Sequence, residues 1–202
     1  ALNDRQFADD PRQATRTRNY YNPDIYIPSL TFDWKIGERT KLKFVSNAIL
    51  GDRNSVMFDK PANIADTIVT ATGQYNHRQV DIDNYHSFMN EVRMLHEYRF
   101  FSHKNILTAG IQTINNDLHR RQQGVGSTGS DYDLSLSKPG WGRDLHFITN
   151  NVAVFMENKW ALTERFSINT SARMEVGKSR LEGVISNYPN EELPNTIEHK
   201  FP

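Results

Sequence analysis

The best candidates for binding chemistry are four consecutive polar residues, Arg120, Arg121, Gln122 and Gln123. Guanidinium groups hold carboxylates through paired hydrogen bonds, and neutral amides add further donors. The four residues could therefore hold an anionic ligand, although a solvated loop also carries such side chains. Arg12, Arg16 and Arg18 allow the same two interpretations near the start of the chain.

Residues 124–129, with the sequence GVGSTG, match the G-x-G-x-x-G spacing of a dinucleotide-binding loop. Such a loop follows a buried strand and opens a helix. Here polar residues flank the glycines on both sides, so the context does not fit. We interpret the glycines as a source of backbone freedom in a loop.

Asp81, Asp83 and His86 form the densest group of oxygen and imidazole ligands. The chain has no cysteine, and its histidines do not show the H-E-x-x-H spacing of a zinc site. No metal site is expected.

Glu157, Arg173 and Glu175 could be mistaken for catalytic acids with a basic partner. We expect them to line an aqueous interior and to pair with each other. The sequence has no nucleophile elbow and no phosphate loop in a suitable context. We therefore expect that the chain is not an enzyme and that it has no catalytic residue and no cofactor.

The overall composition restricts the class of protein. Lys and Arg number 24, as do Asp and Glu, so no long-range attraction to nucleic acid is expected. Hydrophobic residues make up 37% of the chain, aromatic residues 11%, and the mean hydropathy is -0.67. No segment approaches the roughly 18 to 20 apolar residues of a membrane-spanning helix, whereas a barrel strand needs only about 9 to 11 alternating residues.

A period of two in hydrophobicity is the clearest structural signal. Leu30, Phe32, Trp34 and Ile36 fall on one side of an extended segment, and the residues between them are polar. The same pattern recurs along the chain and predicts an antiparallel meander of about six strands in three hairpins. The predicted strands are residues 26–36, 41–50, 88–100, 105–115, 147–158 and 165–176. For residues 88–100 a helix is the alternative, because the apolar residues also suit one helical face.

Short turns alternate with long polar segments, which we predict to be loops at residues 1–24, 51–87, 116–146 and 177–202. Transmembrane barrels have short turns on one rim and long loops on the other, whereas compact soluble domains seldom carry several long loops. Aromatic residues near the predicted strand ends suit the girdles of such a barrel. They are Tyr26, Trp34, Phe88, Tyr98, Phe100, Phe147, Trp160 and Phe166.

Three segments resemble the TonB-dependent outer-membrane receptors of the ferric dicitrate type. They are residues 8–21, residues 120–134, and residues 143–158 with the return strand that ends at residues 172–175. The resemblance implies a barrel of roughly twenty-two strands in a Gram-negative outer membrane, filled by a separate plug domain. This chain then corresponds to an internal piece of the barrel, without the plug.

The resemblance also implies import of an iron chelate, with Arg120, Arg121, Gln122, Gln123 and Arg18 as the ligand-binding residues. Ferric citrate is the favoured ligand, and other siderophores, haem, vitamin B12 or a saccharide stay open. The intact relative would contact membrane lipid, and TonB through its plug. Because an open sheet has unpaired edges, we expect the isolated piece to self-associate.

Three other interpretations remain. A small porin or adhesin needs at least eight strands that close on themselves. An enzyme built on a membrane barrel needs a Ser, His and Asp or Asn set on one rim. A soluble β-sandwich binding module would bury the Leu30, Phe32, Trp34 and Ile36 side chains against a second sheet.

Overall fold

The structure of the chain, a computed structural model, describes residues 2–61, 63–186 and 196–201. These residues form one short helix and eight strands. The helix α1 spans Asp4–Asp9 and is capped by Asn3, whose side chain accepts from the Gln6 backbone N–H. The strands are β1 Tyr20–Tyr26, β2 Ser29–Lys35, β3 Thr40–Met57, β4 Gln79–Phe100, β5 His103–Val125, β6 Arg143–Ala161, β7 Ser167–Ile185 and β8 Thr196–Phe201.

All eight strands belong to one antiparallel sheet, in the order β1-β3-β4-β5-β6-β7-β8, with β2 also paired to β3. The all-β prediction is confirmed, but the count of six strands is wrong. β1 and β2 lie end to end against β3, since Tyr26 pairs with Leu50 and Ser29 with Asn47. Pro28 separates them because it has no N–H to donate. Its carbonyl still accepts from Ala48 N at 3.0 Å.

The strands β3 to β7 are much longer than predicted, and the loops between them are correspondingly shorter. The predicted strand 26–36 is instead divided between the end of β1 and the shorter β2. β4 begins at Gln79 and β5 continues to Val125, so large parts of residues 51–87 and 116–146 are strand. β7 continues to Ile185, and β8 lies inside the predicted final loop. The helical alternative for residues 88–100 is wrong, because they lie in β4.

The strand register places large apolar residues in transverse rows on one face of the sheet, here called the apolar face. The central row is Phe32, Phe44, Val92, Ile111, Val154 and Met174. Five of these side chains are exposed, with Phe32 at 58% and Met174 at 66%, and Phe44 is half-buried. Within the described residues only one sheet is present, so the apolar face has no second layer over it.

The opposite side of the sheet, here called the charged face, has a polar network at mid-height. Arg93 Nη2 lies 2.7 Å from Glu91 Oε1, and Gln112 Nε2 donates to Glu91 Oε2 at 3.2 Å. Arg173 donates to Gln112 Oε1 at 3.1 Å and pairs with Glu175 at 3.2 Å. Alternation along each strand therefore separates apolar from charged side chains across four strands.

Two glycines have a positive φ at points where neighbouring strands come close together. Gly51 has φ +133° and Gly183 has φ +129°, values that side chains rarely adopt. A Cβ at Gly51 would lie 2.0 Å from the Asp24 carbonyl oxygen. Glycine is thus required where β1 and β3, and likewise β6 and β7, approach each other.

Most of the fully buried side chains lie at the end of the sheet where the long loops are, here called the loop end. Val56, Val80, Arg78 and Asp83 are each at most 2% exposed, and Phe58 is 3% exposed. The other end, where short turns join the strands, is called the turn end. Among the described residues, no helix is both long enough and apolar enough to cross a membrane.

Candidate functional site: an arginine cluster on the charged face

Four of the five predicted ligand-binding residues, Arg120 to Gln123, lie in β5 and not in a loop. Successive residues of a strand point to opposite faces. Arg120 pairs with Asp83 and Leu145 on the charged face, whereas Arg121 pairs with Ile82 and Asp144 on the apolar face. The structure therefore does not bring the two arginines together around one ligand.

Arg120 is part of a three-residue cluster with Asp83 and Arg53. The carboxylate of Asp83 is 1% exposed and accepts from Arg120 Nε at 3.0 Å and Arg120 Nη2 at 3.2 Å. Arg53 Nη2 donates to the same carboxylate from the other side. The three residues lie side by side on β3, β4 and β5, because Arg53 pairs with Asp83 and Asp83 with Arg120.

Two guanidinium groups on one carboxylate leave a net positive charge of about one. Each arginine side chain is 32% exposed, so both keep donors that face outward from the sheet. The buried carboxylate fixes the orientation of both forks, which reduces the entropy lost when an anion binds. The cluster is suited to a carboxylate-bearing ligand. Sequence reasoning missed Arg53, since only the strand register connects it with Arg120.

Arg121 has a different environment from Arg120. Its Nη2 donates to Asn84 Oδ1 at 2.7 Å, and its guanidinium lies 5.6 Å from the centre of the Trp141 ring. Its Nε is buried, and among the described residues it has no hydrogen-bond partner. These contacts attach the loop that carries Trp141 to the sheet.

Gln122 and Gln123 lie at a β-bulge, where the register between β4 and β5 shifts. Gln123 has φ 61°, and its backbone N–H donates to Asp81 Oδ1 at 2.8 Å. Gln122 pairs with Arg143 of β6. The bulge lets β5 bend toward its loop, and it places the two amides in different surroundings.

Arg18 lies against Tyr75, with its guanidinium 4.6 Å from the ring centre. It is the last member of a chain of alternating cations and rings, here called the arginine–aromatic stack. Its members are Arg16, Phe58, Arg78, Tyr75 and Arg18.

The stack is anchored at its centre by a buried ion pair. Arg78 and Asp66 are 1% and 2% exposed, and Arg78 Nη1 lies 2.8 Å from Asp66 Oδ2. Arg78 Nε also donates to the Gly129 carbonyl at 3.2 Å, and Arg16 donates to three carbonyl oxygens of residues 60–64. These contacts connect the opening segment with the two long loops, so Arg18 has a packing role in this structure.

The residues of the possible metal cluster do not converge. Asp83 is held by Arg53 and Arg120, and Asp81 accepts from Gln79 and Gln123. His86 points to the apolar face, opposite Leu50 and Asp117. Within the part of the chain that the structure describes, no group of three or more His, Asp or Glu side chains could hold a metal ion.

The glycine motif serves close packing, which corrects our interpretation of backbone freedom. Gly124 and Gly126 do not have positive φ. A Cβ at Gly124 would lie 2.6 Å from the Trp141 ring, and one at Gly126 would lie 2.7 Å from Val80. The glycines allow loop residues to lie directly on the end of the sheet.

The aromatic residues predicted to form girdles lie on both faces of the sheet. Trp34, Tyr98, Phe100 and Trp160 lie on the apolar face near the turn end, where Tyr98 and Phe100 contact the Trp160 ring edge-on at 6.4 and 6.1 Å. Tyr26 and Phe88 lie on the same face farther up the strands. Phe147 pairs with Leu118 and Leu181 on the charged face, because it occupies the alternate position.

A scan of protein-family models, a search of curated proteins and a search of solved structures each found no match to this chain.

Proposed function

We propose that this chain forms part of the barrel wall and the outer loops of a TonB-dependent receptor that imports an iron chelate across a Gram-negative outer membrane. The observation that carries the proposal is the exposed apolar face. Six large apolar side chains form its central row, and in water five of them, all except Phe44, would be left exposed. Lipid acyl chains are a suitable cover.

The dimensions of the apolar face suit a bilayer. From Phe88 to Phe100, β4 extends about 40 Å along its axis, which is roughly 30 Å across a membrane at a tilt of about 40°. Both of these residues are aromatic and lie on the apolar face. Beyond Phe88, β4 continues to Gln79 and so extends past the lipid, next to the long loops.

The charged face suits a water-filled interior. The network of Glu91, Arg93, Gln112 and Arg173 lies at the same height as the central apolar row. The sheet is open, with β1 and β2 at one edge and β8 at the other. Further strands at these edges would complete the wall and satisfy the unpaired backbone groups.

The arginine cluster is the proposed contact for the chelate. Arg53 and Arg120 lie on the interior face, close to the loop end, where a ligand enters from outside. We propose a carboxylate-rich chelate such as ferric citrate, because paired guanidinium forks recognise carboxylates. Removal of Arg53 and Arg120 together should abolish binding of ferric citrate by the receptor, whereas Arg121→Gln should leave it.

The membrane orientation can be tested with single cysteines, since the chain has none of its own. In lipid bilayers, Phe32→Cys and Met174→Cys should react with a lipid-soluble maleimide and resist a charged one. Their neighbours Thr31→Cys and Arg173→Cys should show the opposite preference. Equal labelling of both sets by the charged reagent would remove the membrane proposal.

Self-association is expected when lipid and detergent are absent. The exposed apolar face and two free sheet edges both favour contact between copies of the chain. Light scattering in detergent-free buffer should detect oligomers. A monodisperse monomer under those conditions would contradict the proposed surroundings of the apolar face.

A further inference from the structure

The charged face has a contiguous apolar patch directly beside the arginine cluster. Leu145 pairs with Arg120 across β5 and β6. One same-face position closer to the turn end, four more apolar residues form a transverse row over β5 to β8. Together they are here called the inner apolar patch: Leu118, Leu145, Phe147, Leu181 and Ile197. Same-face neighbours along a strand are about 7 Å apart, so Leu118 lies next to Arg120.

The inner apolar patch forms one side of a groove. Phe147 and Ile197 are 36% and 46% exposed. With Leu181 they line a groove of about 320 Å³, and Thr149 and Ser179 form its polar side. A volume of that size lies at the lower end of the range for small-molecule sites, which begins at about 300 Å³. The groove can therefore hold the apolar part of a small ligand.

We propose that the ligand of the arginine cluster is an amphiphilic chelate. Its carboxylates bind Arg53 and Arg120, while a hydrocarbon chain lies along the inner apolar patch. The inference rests on the proposed function and deepens it, because it names the class of chelate. Guanidinium groups recognise the carboxylates by charge and by paired hydrogen bonds. Removal of the chain and of the patch from water favours contact between them.

The dimensions of the patch favour a chain in addition to a polar head group. From Leu118 on β5 to Ile197 on β8 the patch crosses three strand spacings, about 14 Å, which is the length of a medium acyl chain. Citrate has no apolar part and would leave this row of large side chains in water. The next row toward the turn end is polar, with Asn116, Thr149 and Ser179. The chain should therefore lie across the strands and not along them.

The test compares two probes on the 202-residue chain in phospholipid nanodiscs: ferric citrate and the ferric complex of monooctyl citrate. Isothermal titration calorimetry, corrected with empty nanodiscs, should show that the octyl complex binds roughly tenfold more tightly or better, because its chain leaves water. Arg53→Gln and Arg120→Gln combined should weaken the binding of both probes. Octanol, which has the chain but no carboxylate, should bind far more weakly than the octyl complex.

Substitutions in the inner apolar patch should remove the preference for the chain. Phe147→Asn and Leu181→Asn combined should bind the two ferric complexes equally, with an affinity for ferric citrate within about twofold of the parent. The matched control combines Leu95→Asn and Ile106→Asn, an apolar pair on the charged face near the turn end, and should keep the preference. Leu181→Trp keeps the patch apolar but fills the groove, so it should lose the octyl complex and retain ferric citrate.

Contrary results would separate this inference from the proposed function. Equal binding of the two ferric complexes by the parent chain would overturn the amphiphilic chelate and leave the import of ferric citrate as proposed. A preference for the chain that survives Phe147→Asn with Leu181→Asn would place the chain in lipid and overturn the inference. Binding of the octyl complex that does not depend on Arg53 and Arg120 would overturn the shared site. If neither complex bound, both the inference and the proposed role of the arginine cluster would be wrong.

Discussion

The loop end of the sheet has a packed interior, whereas the middle of the sheet has none. Phe58 and Val80 are 3% and 0% exposed, but Ile111 and Met174 in the middle are 51% and 66% exposed. The loop end is therefore stabilised by contacts within the chain. The middle depends on whatever covers its apolar face, which we propose to be lipid.

The charges of the two regions differ in the same way. Arg78 and Asp66 at the loop end are almost completely buried, whereas Arg173 and Glu175 in the middle are 43% and 38% exposed. Removing one member of a buried pair leaves the other charge without water or a partner. Removing one member of an exposed pair leaves a hydrated charge. Removing one member of an ion pair should therefore destabilise the loop end more than the middle of the sheet.

The largest expected effect is that of Arg78→Ala. It leaves Asp66 buried without its counter-charge and should lower the free energy of unfolding of the loop end by about 3–5 kcal/mol. Backbone amide hydrogen exchange of residues 63–78 should become faster. Denaturant-induced unfolding should measure the loss in free energy of unfolding. Lys43→Ala, which removes an exposed pair with Asp33, should cost only about 0–1 kcal/mol. Equal losses of unfolding free energy in the two variants would show that burial of the ion pair does not determine its contribution to stability.

Met174→Arg tests what covers the middle of the sheet. If lipid covers it, an arginine at this height should cost about 2–4 kcal/mol in unfolding from a bilayer. Ser171→Arg is the matched control, because it lies on the same strand but on the charged face. It should unfold at nearly the parental denaturant concentration. If Ser171→Arg lost much of the unfolding free energy and Met174→Arg lost none, the charged face and not the apolar face would be the one that contacts lipid.

Gly183→Ala should disturb the junction between the two regions. The new Cβ would lie 1.9 Å from the Asp144 carbonyl oxygen, in a backbone conformation that suits glycine. Because the backbone must shift, we expect a cost of about 1–3 kcal/mol, measured by thermal unfolding. Gly37→Ala has nothing within 4 Å of its Cβ and should leave the unfolding midpoint unchanged. A loss in Gly37→Ala as large as that in Gly183→Ala would contradict this explanation.

The smallest expected effect concerns Asp133 in a loop at the loop end. Hydrogen bonds from the Ser135 side chain and backbone lower the pKa of Asp133 below its ordinary value. Their stabilisation is present at neutral pH and is lost as the pH falls through the lowered pKa. Ser135→Ala should raise the pKa of Asp133 toward the ordinary value, as followed by NMR titration of the carboxyl carbon. The Ser137 hydroxyl donates to backbone carbonyls instead, so Ser137→Ala should leave the titration of Asp133 unchanged.

Sequence patterns predicted the sheet best where one face is apolar. Leu30, Phe32 and Trp34 alternate with polar residues and lie in the strand β2, Ser29–Lys35, whereas Ile36 follows the end of that strand. Residues 79–87 and 116–125 are equally extended but have polar side chains on both faces. Their period of two disappears because both faces contact water or polar groups. The sequence therefore underestimated the length of every strand at the loop end.

The sequence by itself determined the all-β character, the two unlike faces and the positions of the short turns. These features depend on neighbours within a few residues, so a local pattern contains them. Only the tertiary structure decided which side chains meet. Asp83 joins Arg53 and Arg120 because the strand register aligns them. The arginine–aromatic stack joins loop residues that are distant in the sequence. A shift of one residue in that register would move every side chain of a strand to the other face.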